Sequence, residues 1–497
     1  MDISYEEENS SHVHPDTAPM LKQDFILLIT SILTLIHLLG VLSAIHAVAR
    51  VRTPQGAIAW AISLSTFPYI TLPLYWILGR NRFHGYVEAL RSATLEQSSH
   101  DGIATILGCL RDCQAELPPE HADHLHVLAR LSHTPYTQGN ALELLVDGEA
   151  TFSAIFAALE AAERYILIQF FIIKDDDLGR ELHARLIRKA AAGVAIRVLY
   201  DEIGSHALPK TYVETLRAAG IAVSAFHTTR GPRNRFQLNF RNHRKIVVTD
   251  GQVAFVGGLN VGDEYLSRGP LGHWRDTHLR VEGPAVLALQ RVFAADWYWA
   301  TRQAPGVDWQ PRMAGHQTVL ILPTGPADAL EICSMFFHQA IVSARQRLWI
   351  ASPYFVPDPP VFEALQLAAL RGVDVRILLP AKPDHKRVYL ASFSFLEAAD
   401  RTGIQIYRYQ NGFLHQKVVL IDDEVAAVGT ANLDNRSLRL NFEVMAVAVD
   451  RTLAGQVAAM LEQDFQRSRR TSAADLQQRS WPFRWVVRAA RLFDPIL

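Results

Sequence analysis

The chain has 497 residues, which is long enough for two or three domains or for one large domain with two lobes. Its formal charge of −1 lacks the basic excess expected of a protein whose main ligand is nucleic acid. Three cysteines, Cys109, Cys113 and Cys333, form no disulfide framework, which favours a reducing compartment. We interpret them as ordinary thiols, because the short spacing of the first two has no second pair to complete a metal site.

Two uncharged stretches near the N terminus predict a transmembrane helical hairpin over residues 25–82, after an N-terminal tail of residues 1–24. Residues 25–49 contain no Asp, Glu, Lys or Arg. As a helix they would extend about 37 Å, enough to cross a hydrocarbon core of about 30 Å. The second stretch, residues 53–79, follows a short basic turn. A cleaved signal peptide is the alternative for the first stretch, but an acidic leader and so long an apolar segment are not typical of one.

The charges around the hairpin predict its orientation. Both ends of a hairpin lie on the same side of the membrane, together with everything after residue 82. That side carries four basic residues near the membrane, whereas the turn has two, Arg50 and Arg52. The four are Lys22, Arg80, Arg82 and Arg91. By the positive-inside rule, this excess favours a cytoplasmic location for the rest of the chain.

Beyond a connector at residues 83–140, the chain repeats one α/β pattern. The first copy predicts a strand at 165–173, a helix at 178–192 and a strand at 194–200, and the second predicts the same order at 347–352, 359–371 and 373–379. Strands that alternate with helices indicate a mostly parallel sheet covered on both faces. We therefore predict two duplicated α/β lobes, residues 141–304 and 318–466, joined by a linker over 305–317 and followed by a tail at 467–497.

Each lobe carries one copy of a short motif, NHRKIVVTDGQVAFVGGLN at residues 242–260 and LHQKVVLIDDEVAAVGTAN at residues 414–432. Five positions match at a constant offset of 172 residues. The pairs are His243 and His415, Lys245 and Lys417, Asp250 and Asp422, Gly257 and Gly429, and Asn260 and Asn432. A single His-x-Lys is an accident in most chains, but two copies in matching contexts are not.

The His and Lys of each motif are two residues apart, so they share one face of a strand. Such a pair suits a phosphodiester, because Lys binds the non-bridging oxygens and offsets the charge of a pentacovalent transition state. The glycines allow a close backbone turn, and Asn260 and Asn432 can donate amide hydrogen bonds to the same oxygens. Asp250 lies seven residues after His243 and faces away from the pair. We expect it to support the turn and the neighbouring chain.

One lobe supplies one His, which is half of a mechanism. If the lobes face each other, one imidazole can attack the phosphorus while the other protonates the leaving alcohol. Two Lys and two Asn would then take the place of a metal ion. Each His also needs a partner for its second ring nitrogen. Asp276 and Glu443, on the strand that follows the motif in each lobe, are the candidates.

These motifs resemble the HxKx4D segments of the phospholipase D superfamily. With the N-terminal hairpin and the segments PYFVPD (353–358), YQNGFLHQK (409–417) and GGLNVGDEY (257–265), the chain resembles the bacterial cardiolipin synthases that have two N-terminal transmembrane helices. The resemblance extends from about residue 22 to the C terminus.

The resemblance implies a fused pseudo-dimer of two phospholipase-D-like lobes with the active site at their interface. It implies a covalent phosphatidyl-histidine intermediate, with His243 as nucleophile and His415 as general acid and base, and neither a metal nor another cofactor. The implied reaction transfers phosphatidyl from one phosphatidylglycerol to another, giving cardiolipin and glycerol in a bacterial inner membrane. Membrane phospholipids would be the partners, and the sequence identifies no protein partner.

Three other functions stay open. Water or another alcohol could accept the phosphatidyl group, which would make the protein a phospholipase D or a transphosphatidylase. A phosphodiesterase acting on nucleic acid is favoured only by residues 227–244, which contain five Arg. We interpret that stretch as a surface for lipid headgroups instead. A membrane scaffold without activity would not need both intact His-x-Lys pairs.

The C-terminal residues 479–497 interleave Trp, Phe and aliphatic residues with Arg. Arg484, Arg488 and Arg491 follow the spacing of one helical face. A short basic amphipathic helix with Trp suits the plane of an anionic membrane. The alternative is a helix that packs on the lobes and leaves its Arg side chains in solvent.

Overall fold

A computed structural model describes residues 17–51, 54–79, 83, 85–89, 100–228 and 239–492. The chain divides into two compact units, Met1–Asn81 and Arg82–Leu497. The arginine-rich segment that the sequence suggested as a headgroup surface falls in part on residues 229–238, outside the described residues.

The N-terminal unit contains the apolar helix that the first uncharged stretch predicts. This helix spans Thr17–Arg50. Among the described residues, its part Gln23–Arg50 is the one helix long and apolar enough to cross a membrane, with a mean hydropathy of 2.5. The first uncharged stretch thus forms the predicted long apolar helix, and its crossing of a membrane stays a prediction.

The second uncharged stretch is not one continuous helix, so the second span of the predicted hairpin stays a prediction. It forms helices Pro54–Thr66 and Pro68–Leu78, with a break at Phe67. Pro68 disfavours the helical conformation at the preceding residue, and Phe67 has φ −132° and ψ 58°. Both helices pack on the first helix, where Gly40 allows close approach, since a Cβ atom there would lie 2.5 Å from the Leu64 carbonyl oxygen.

The C-terminal unit is built around one large sheet. Its strands, in the part of the chain that the structure describes, are β1 Thr137–Val146, β2 Tyr165–Phe170, β3 Ala195–Asp201, β4 Ala222–Phe226, β5 Arg241–Asn242, β6 Ile246–Thr249, β7 Val253–Gly257, β8 Trp274–Arg275, β9 Thr277–Glu282, β10 Gln317–Thr324, β11 Arg347–Ala351, β12 Phe355–Val356, β13 Asp374–Pro380, β14 Gln405–Tyr409, β15 Phe413–Leu414, β16 Val418–Ile421, β17 Val425–Gly429, β18 Leu433–Asp434, β19 Asn441–Val449 and β20 Ser468–Thr471.

Helices cover this sheet and connect its strands. The described ones are His100–Asp112, Pro119–Ser132, Asp147–Ala161, Asp177–Ala191, Lys210–Ala218, Ala285–Thr301, Ile332–Ser343, Pro359–Leu370, Lys386–Ser392, Leu396–Thr402, Asn435–Arg439, Arg451–Gln466, Ala473–Gln477 and Trp481–Ala490, with 3-10 turns at Asp263–Leu266 and Phe393–Phe395. The sequence boundary at residue 141 falls inside β1, and the segment taken as a connector contains the helices His100–Asp112 and Pro119–Ser132. Both helices carry a hydrophobic face, which the prediction of a connector at residues 83–140 did not take into account.

The strand order shows the duplication directly. It runs β20-β14-β13-β11-β16-β17-β19-β10-β1-β9-β7-β6-β2-β3-β4. Reading outward from the β10–β1 junction, each lobe repeats the same order of strands. β20 extends the edge of the second lobe. Two α/β lobes made by duplication are thus confirmed, and they share one sheet.

The prediction of a mostly parallel sheet is wrong. Strands joined by crossover helices are parallel, as in β2–β3–β4 and β11–β13–β14. The strands that follow each His-x-Lys are joined by tight turns and are therefore antiparallel, as in β6–β7 and β16–β17. The sheet is mixed.

One hydrophobic core crosses the lobe boundary. It lies on the face covered by helices Ala285–Thr301 and Arg451–Gln466 and includes side chains from both lobes. The opposite face of each lobe has its own core, under Asp147–Ala161 and Asp177–Ala191 in the first lobe and under Ile332–Ser343 and Pro359–Leu370 in the second. The shared core makes the two lobes one packed body.

Candidate active site

Two very short strand pairs bring the His-x-Lys segments of the two lobes together. β5, just before His243, pairs in parallel with the start of β19 in the second lobe. β15, just before His415, pairs in parallel with β8 in the first lobe. As a result, the His243 backbone N–H donates to the Phe442 carbonyl oxygen at 2.9 Å, and the His415 N–H donates to the Arg275 carbonyl oxygen at 2.8 Å.

Each histidine is held by a carboxylate from the opposite lobe. His243 Nδ1 lies 2.9 Å from Glu443 Oε2, and His415 Nδ1 lies 2.8 Å from Asp276 Oδ2. All four side chains are buried. A carboxylate accepts hydrogen bonds, so it holds the ring proton on Nδ1 and leaves the Nε2 lone pair for chemistry. The sequence identified both carboxylates as candidates, but it did not reveal this exchange between lobes.

The two lysines are as deeply buried as the histidines. Lys245 Nζ donates to the His243 carbonyl oxygen at 2.6 Å, and Lys417 Nζ donates to the His415 carbonyl oxygen. Burial lowers the pKa of Lys245 well below its ordinary value, and it lowers the pKa of Lys417 to about 8. Each ammonium group is close enough to the other for repulsion to contribute to the lowered pKa of Lys245. An anion placed between them would relieve this repulsion.

Both imidazoles are neutral near pH 7. Burial lowers the pKa of His243 to about 4, Glu443 opposes this shift and Lys245 adds to it. Burial lowers the pKa of His415 well below its ordinary value, Lys417 adds to the shift, and Asp384 opposes it. A neutral imidazole with a free Nε2 is the form needed for a nucleophile or a general base.

The two carboxylates are held differently. Glu443 also accepts hydrogen bonds from three polar side chains of the second lobe: Thr430 Oγ1 at 2.6 Å, Ser437 Oγ at 2.7 Å and Asn441 Nδ2 at 3.2 Å. Burial would raise the pKa of Glu443, but His243, Lys245 and Thr430 bring it below its ordinary value. Asp276 accepts from the Thr277 N–H at 2.8 Å. Burial raises its pKa to about 6.

Asp250 and Asp422 lie at the far ends of their strands from the histidines. Asp250 accepts from the backbone N–H groups of Glu163, Arg164 and Tyr165, each at 2.8 Å. Asp422 accepts in the same way from Arg345, Gln346 and Arg347. Each Asp ties the turn that follows its own strand to the start of the neighbouring strand in the sheet, which is β2 in the first lobe and β11 in the second. The structure therefore places them outside the candidate site, as positioning residues and not as groups that touch substrate.

The side chains of the two motif asparagines differ in the hydrogen bonds that they make within the protein. Asn260 Nδ2 donates to Tyr265 Oη at 2.6 Å, and its Oδ1 accepts from the Ile172 N–H at 3.1 Å. The Asn432 N–H donates to Ser437 Oγ at 3.1 Å, and its buried Oδ1 has no hydrogen-bond partner among the described residues. The structure does not present Asn260 as a free amide donor to an anion.

One glycine of the first motif, Gly258, packs directly against a carboxylate of the candidate site. A Cβ atom on Gly258 would lie 2.0 Å from Asp276 Oδ1. Thr430 occupies the matching place in the second lobe, and its hydroxyl contacts Glu443 instead. Gly258 thus makes room for the carboxylate that holds His415.

Sequence reasoning missed two buried arginines that tie the lobes together beneath the histidines. Arg244 donates to Asp296 Oδ1 at 2.8 Å and to the Glu443 carbonyl oxygen at 3.0 Å. Arg275 donates to Asp464 Oδ1 at 2.8 Å. Asp296 and Asp464 each precede an aromatic residue near the end of the last helix of their lobe, so a longer self-comparison of the halves could have found them.

It also missed the aromatic rings around the histidines. His415 lies among three rings, Tyr265 at 5.9 Å, Trp274 at 5.5 Å and Phe413 at 5.9 Å between centroids. His243 contacts Phe171 at 5.0 Å. No spacing rule in the sequence marks these residues. Within the described residues, no three His, Cys, Asp or Glu side chains converge in a way that could hold a metal ion.

Comparison with known proteins places the chain in a family. The family model for the phospholipase-D-like domain of cardiolipin synthase matches residues 155–297 and 337–467, one copy in each lobe. The chain belongs to the cardiolipin synthase family with phospholipase-D-like domains. It is 52% identical over 469 residues to cardiolipin synthase A of Pseudomonas entomophila strain L48, which covers 93% of this chain and 97% of that protein. It is 51% identical over 470 residues to cardiolipin synthase A of Pseudomonas putida strain GB-1, which covers 94% of this chain and 98% of that protein.

A solved structure supports the fold independently of this family. The crystal structure of phosphatidylserine synthase from Haemophilus influenzae Rd KW20 superposes with a TM-score of 0.57 at 15% identity. It covers 76% of this chain and 100% of that chain. At this identity the similarity concerns the fold alone.

Proposed function

We propose that this protein is a cardiolipin synthase that transfers a phosphatidyl group from one phosphatidylglycerol to the headgroup hydroxyl of another. The supporting observation is the pair of crossed His–carboxylate contacts, His243–Glu443 and His415–Asp276, with two buried lysines beside them. Neither lobe can form this arrangement alone. Two imidazoles acting on opposite sides of one phosphorus provide both a nucleophile and a proton carrier for phosphodiester exchange.

In the first step, His243 Nε2 attacks phosphorus, a P–N bond forms, and the P–O bond to the glycerol headgroup breaks. The negative charge of the bound phosphodiester favours the protonated form of His415, so this ring takes up a proton at Nε2 on binding and gives it to the departing glycerol oxygen. In the second step, neutral His415 removes the proton from a headgroup hydroxyl of a second phosphatidylglycerol. That oxygen attacks phosphorus, the P–N bond breaks, and cardiolipin leaves with His415 again protonated. The products are one cardiolipin and one glycerol.

His243 is assigned as the nucleophile because its carboxylate partner is the more firmly ionised. Attack places a positive charge on the His243 ring. Glu443 can balance this charge without taking the ring proton, because its pKa lies below the ordinary value. Asp276, with a pKa of about 6, shares a proton with His415 more readily. That property suits a group that must both give and receive a proton.

Lys245 and Lys417 would bind the non-bridging phosphate oxygens and stabilise the charge of the transition state. Asn260 Nδ2 already donates to Tyr265, so Asn432, at the matching place in the second motif, remains the better amide donor of the two. The reaction as written needs no metal or other cofactor. Phospholipids are the substrates proposed, and nucleic acid is not.

The test uses the purified full-length chain in phosphatidylglycerol vesicles, with ³H in the headgroup glycerol and ¹⁴C in the acyl chains. Cardiolipin and free glycerol should appear in equal amounts. If ¹⁴C-phosphatidic acid is the main product, the protein is a phospholipase D and the transfer proposal fails. An equal reaction rate with the double variant His243→Ala, His415→Ala would show that the activity belongs to a contaminant.

For location we propose that the N-terminal unit is multi-pass in the inner membrane, with the lobes in the cytoplasm. The basic residues flanking the apolar segments support this. The native cysteines are replaced by Ser, and one Cys is introduced at the exposed Gln55, in the first turn of the helix Pro54–Thr66, or at the exposed Met313, between the lobes. In intact cells, a maleimide that cannot cross the inner membrane should label residue 55 and not residue 313. The reverse pattern would contradict the orientation.

A further inference from the structure

The C-terminal helix Trp481–Ala490, here called the tail helix, has three distinct stripes of side chains. With about 100° between successive residues, the stripe formed by Phe483, Val487 and Ala490 lies about 180° from the stripe formed by Trp481, Trp485 and Leu492. The arginines of the tail, Arg484, Arg488 and Arg491, occupy the angle between these two stripes. The sequence suggested either a membrane helix or a helix packed on the lobes. This geometry permits both at once.

The inner stripe packs on the second lobe. Phe483 contacts Phe393 in a T-shaped ring pair at 5.6 Å. Val487 and Ala490 are buried, and Ala490 packs in a cluster with Val388 and Ala391 of the helix Lys386–Ser392. The tail helix is therefore held in a fixed position on the protein, with its opposite side turned outward.

The outer stripe exposes large apolar side chains. Trp481 is 68% exposed, Trp485 60% and Leu492 81%, and Val486 is also exposed. Isolated apolar side chains on a surface need no explanation, but here two Trp and one Leu form a single stripe along the tail helix and the residues that follow it. Burial of such side chains stabilises contact with an apolar phase, and Trp is enriched where that phase meets water.

Basic side chains flank one side of this apolar stripe. Arg484, Arg488 and Arg491 have no carboxylate partner among the residues that the structure describes, and the Arg488 guanidinium lies 5.5 Å from the Trp485 ring. The neighbouring helix adds exposed Lys386 and Arg387. Each such charge is attracted to an anionic lipid surface. Trp with flanking Arg and Lys is the chemistry of an anionic bilayer surface.

The tail helix sits next to the edge of the sheet that carries the histidines. β11 ends at Ala351, which pairs with Val418, three residues after His415. The parallel strand β13 ends at the same edge, and its continuation passes through Asp384 into the helix Lys386–Ser392. Tyr354, just beyond β11, donates to Asp384 at 2.5 Å. The support of the tail helix therefore begins near the candidate site, where Asp384 is close enough to His415 to oppose the lowering of its pKa.

We propose that the outer side of the tail helix rests on the surface of an anionic bilayer and presents the mouth of the site to lipid headgroups. The helix then works as a spacer with one side on the second lobe and the other in the headgroup layer. This proposal concerns an interface and not the reaction, so its failure would leave the transferase proposal untouched.

The test places an environment-sensitive fluorophore on the full-length chain in nanodiscs. The native cysteines are replaced by Ser, and a single Cys replaces Trp485. The matched control replaces Leu370, which is 65% exposed and lies just before β13, at the opposite edge of the sheet. In phosphatidylglycerol nanodiscs, the label at 485 should shift to the blue and be quenched by lipids that carry bromine near the headgroup. The label at 370 should do neither. Solvent-like emission at both positions would overturn the proposal.

Two further measurements separate the alternatives. A blue shift at 485 that persists in detergent and grows with protein concentration would mean contact with a second copy of the chain, and the lipid proposal would be wrong. Changing Arg484, Arg488 and Arg491 together to Gln should reduce quenching at 485 at least threefold in nanodiscs with anionic lipid. The charge-matched control changes the exposed Arg180, Arg188 and Arg401 to Gln and should leave quenching unchanged. Equal quenching in both triple variants would also overturn the proposal.

Discussion

The half of the site around His243 and the half around His415 come from the same duplicated segment, but their surroundings have diverged. Each ring nitrogen Nδ1 contacts a carboxylate of the other lobe, at 2.9 and 2.8 Å, and each Lys donates to the carbonyl oxygen of its own His. Both copies of the duplicated segment have kept this arrangement of His, Lys and carboxylate. The differences lie one layer further out.

Around Glu443, the second lobe supplies three side-chain donors, so the carboxylate is stabilised as an anion. Around Asp276, a glycine stands where the other half has Thr430, and burial dominates. The result is one carboxylate with a lowered pKa and one with a pKa of about 6. The same arrangement thus makes the His243 half suited to bearing a positive charge and the His415 half suited to transferring a proton.

The largest effect is expected when each imidazole is removed in turn. His243→Ala and His415→Ala should each lower the rate of cardiolipin formation by about 10⁴-fold or more, because the first removes the nucleophile and the second the proton carrier. The roles separate with a phosphatidyl ester of p-nitrophenol, whose leaving group needs no proton. A burst of p-nitrophenol should survive in His415→Ala and be absent in His243→Ala.

The opposite pattern would exchange the two roles and show that the asymmetry of the carboxylates has another meaning. A burst in neither variant, with both proteins folded by circular dichroism, would contradict a covalent histidine intermediate.

The second test concerns the lysines. Lys245→Gln and Lys417→Gln should each lower kcat by about 10²- to 10³-fold, because the transition-state charge loses a cation. The effect should appear in kcat more than in KM, since the extra charge develops after binding. EDTA should leave the wild type unchanged. Inactivation by EDTA that added metal restores would contradict a site that works with two lysines and no metal.

The sequence predicted the parts of this site that keep a constant offset. His243 and His415, Lys245 and Lys417 recur at 172 residues because each copy sits at the same place in the same lobe. The two-lobed α/β fold followed from the same duplication. Asp276 and Glu443 could be named as candidates because they occupy the strand after the motif in each lobe.

The crossing of these carboxylates could not be predicted. It depends on β5–β19 and β8–β15, pairs of two residues each, which are too short to leave a periodic pattern. The break in the second apolar stretch could not be predicted either, and its reason is local. The lack of charge in this stretch indicated a span, but Pro68 interrupts the helix, and a composition argument does not weigh one residue.

The third test exploits the pKa difference between the two carboxylates. At pH 7, Asp276→Asn and Glu443→Gln should each lower kcat/KM by about 100-fold, because an amide no longer fixes the ring proton on Nδ1. Asp276 has a pKa of about 6, so in the wild type it loses its charge as the pH falls from 7 to 5. The deficit of Asp276→Asn relative to wild type should therefore shrink to about tenfold at pH 5.

Glu443 stays ionised over this range, because its pKa lies below the ordinary value. The deficit of Glu443→Gln should stay constant between pH 7 and 5. Parallel pH profiles for the two variants would mean that the carboxylates are equivalent, and the comparison between the two halves would fail.

The smallest effect expected concerns the position at which the two halves differ, Gly258 in one and Thr430 in the other. Gly258→Ala brings a Cβ atom to 2.0 Å from Asp276 Oδ1, so the carboxylate must move; activity should fall about tenfold and Tm should drop. Thr430→Val keeps the size of the side chain but removes the 2.6 Å hydrogen bond to Glu443.

Thr430→Val should therefore lower kcat/KM about fivefold, since one of several bonds to the anion is lost. Thr430→Ser, which keeps the hydroxyl, should retain nearly full activity. The hydroxyl also stabilises Glu443 as an anion, so in Thr430→Val the pKa of Glu443 rises and activity should begin to fall at a higher pH as the solution is acidified. If Ser and Val behave alike, Thr430 serves packing alone, and the firm ionisation of Glu443 must come from His243, Ser437 and Asn441.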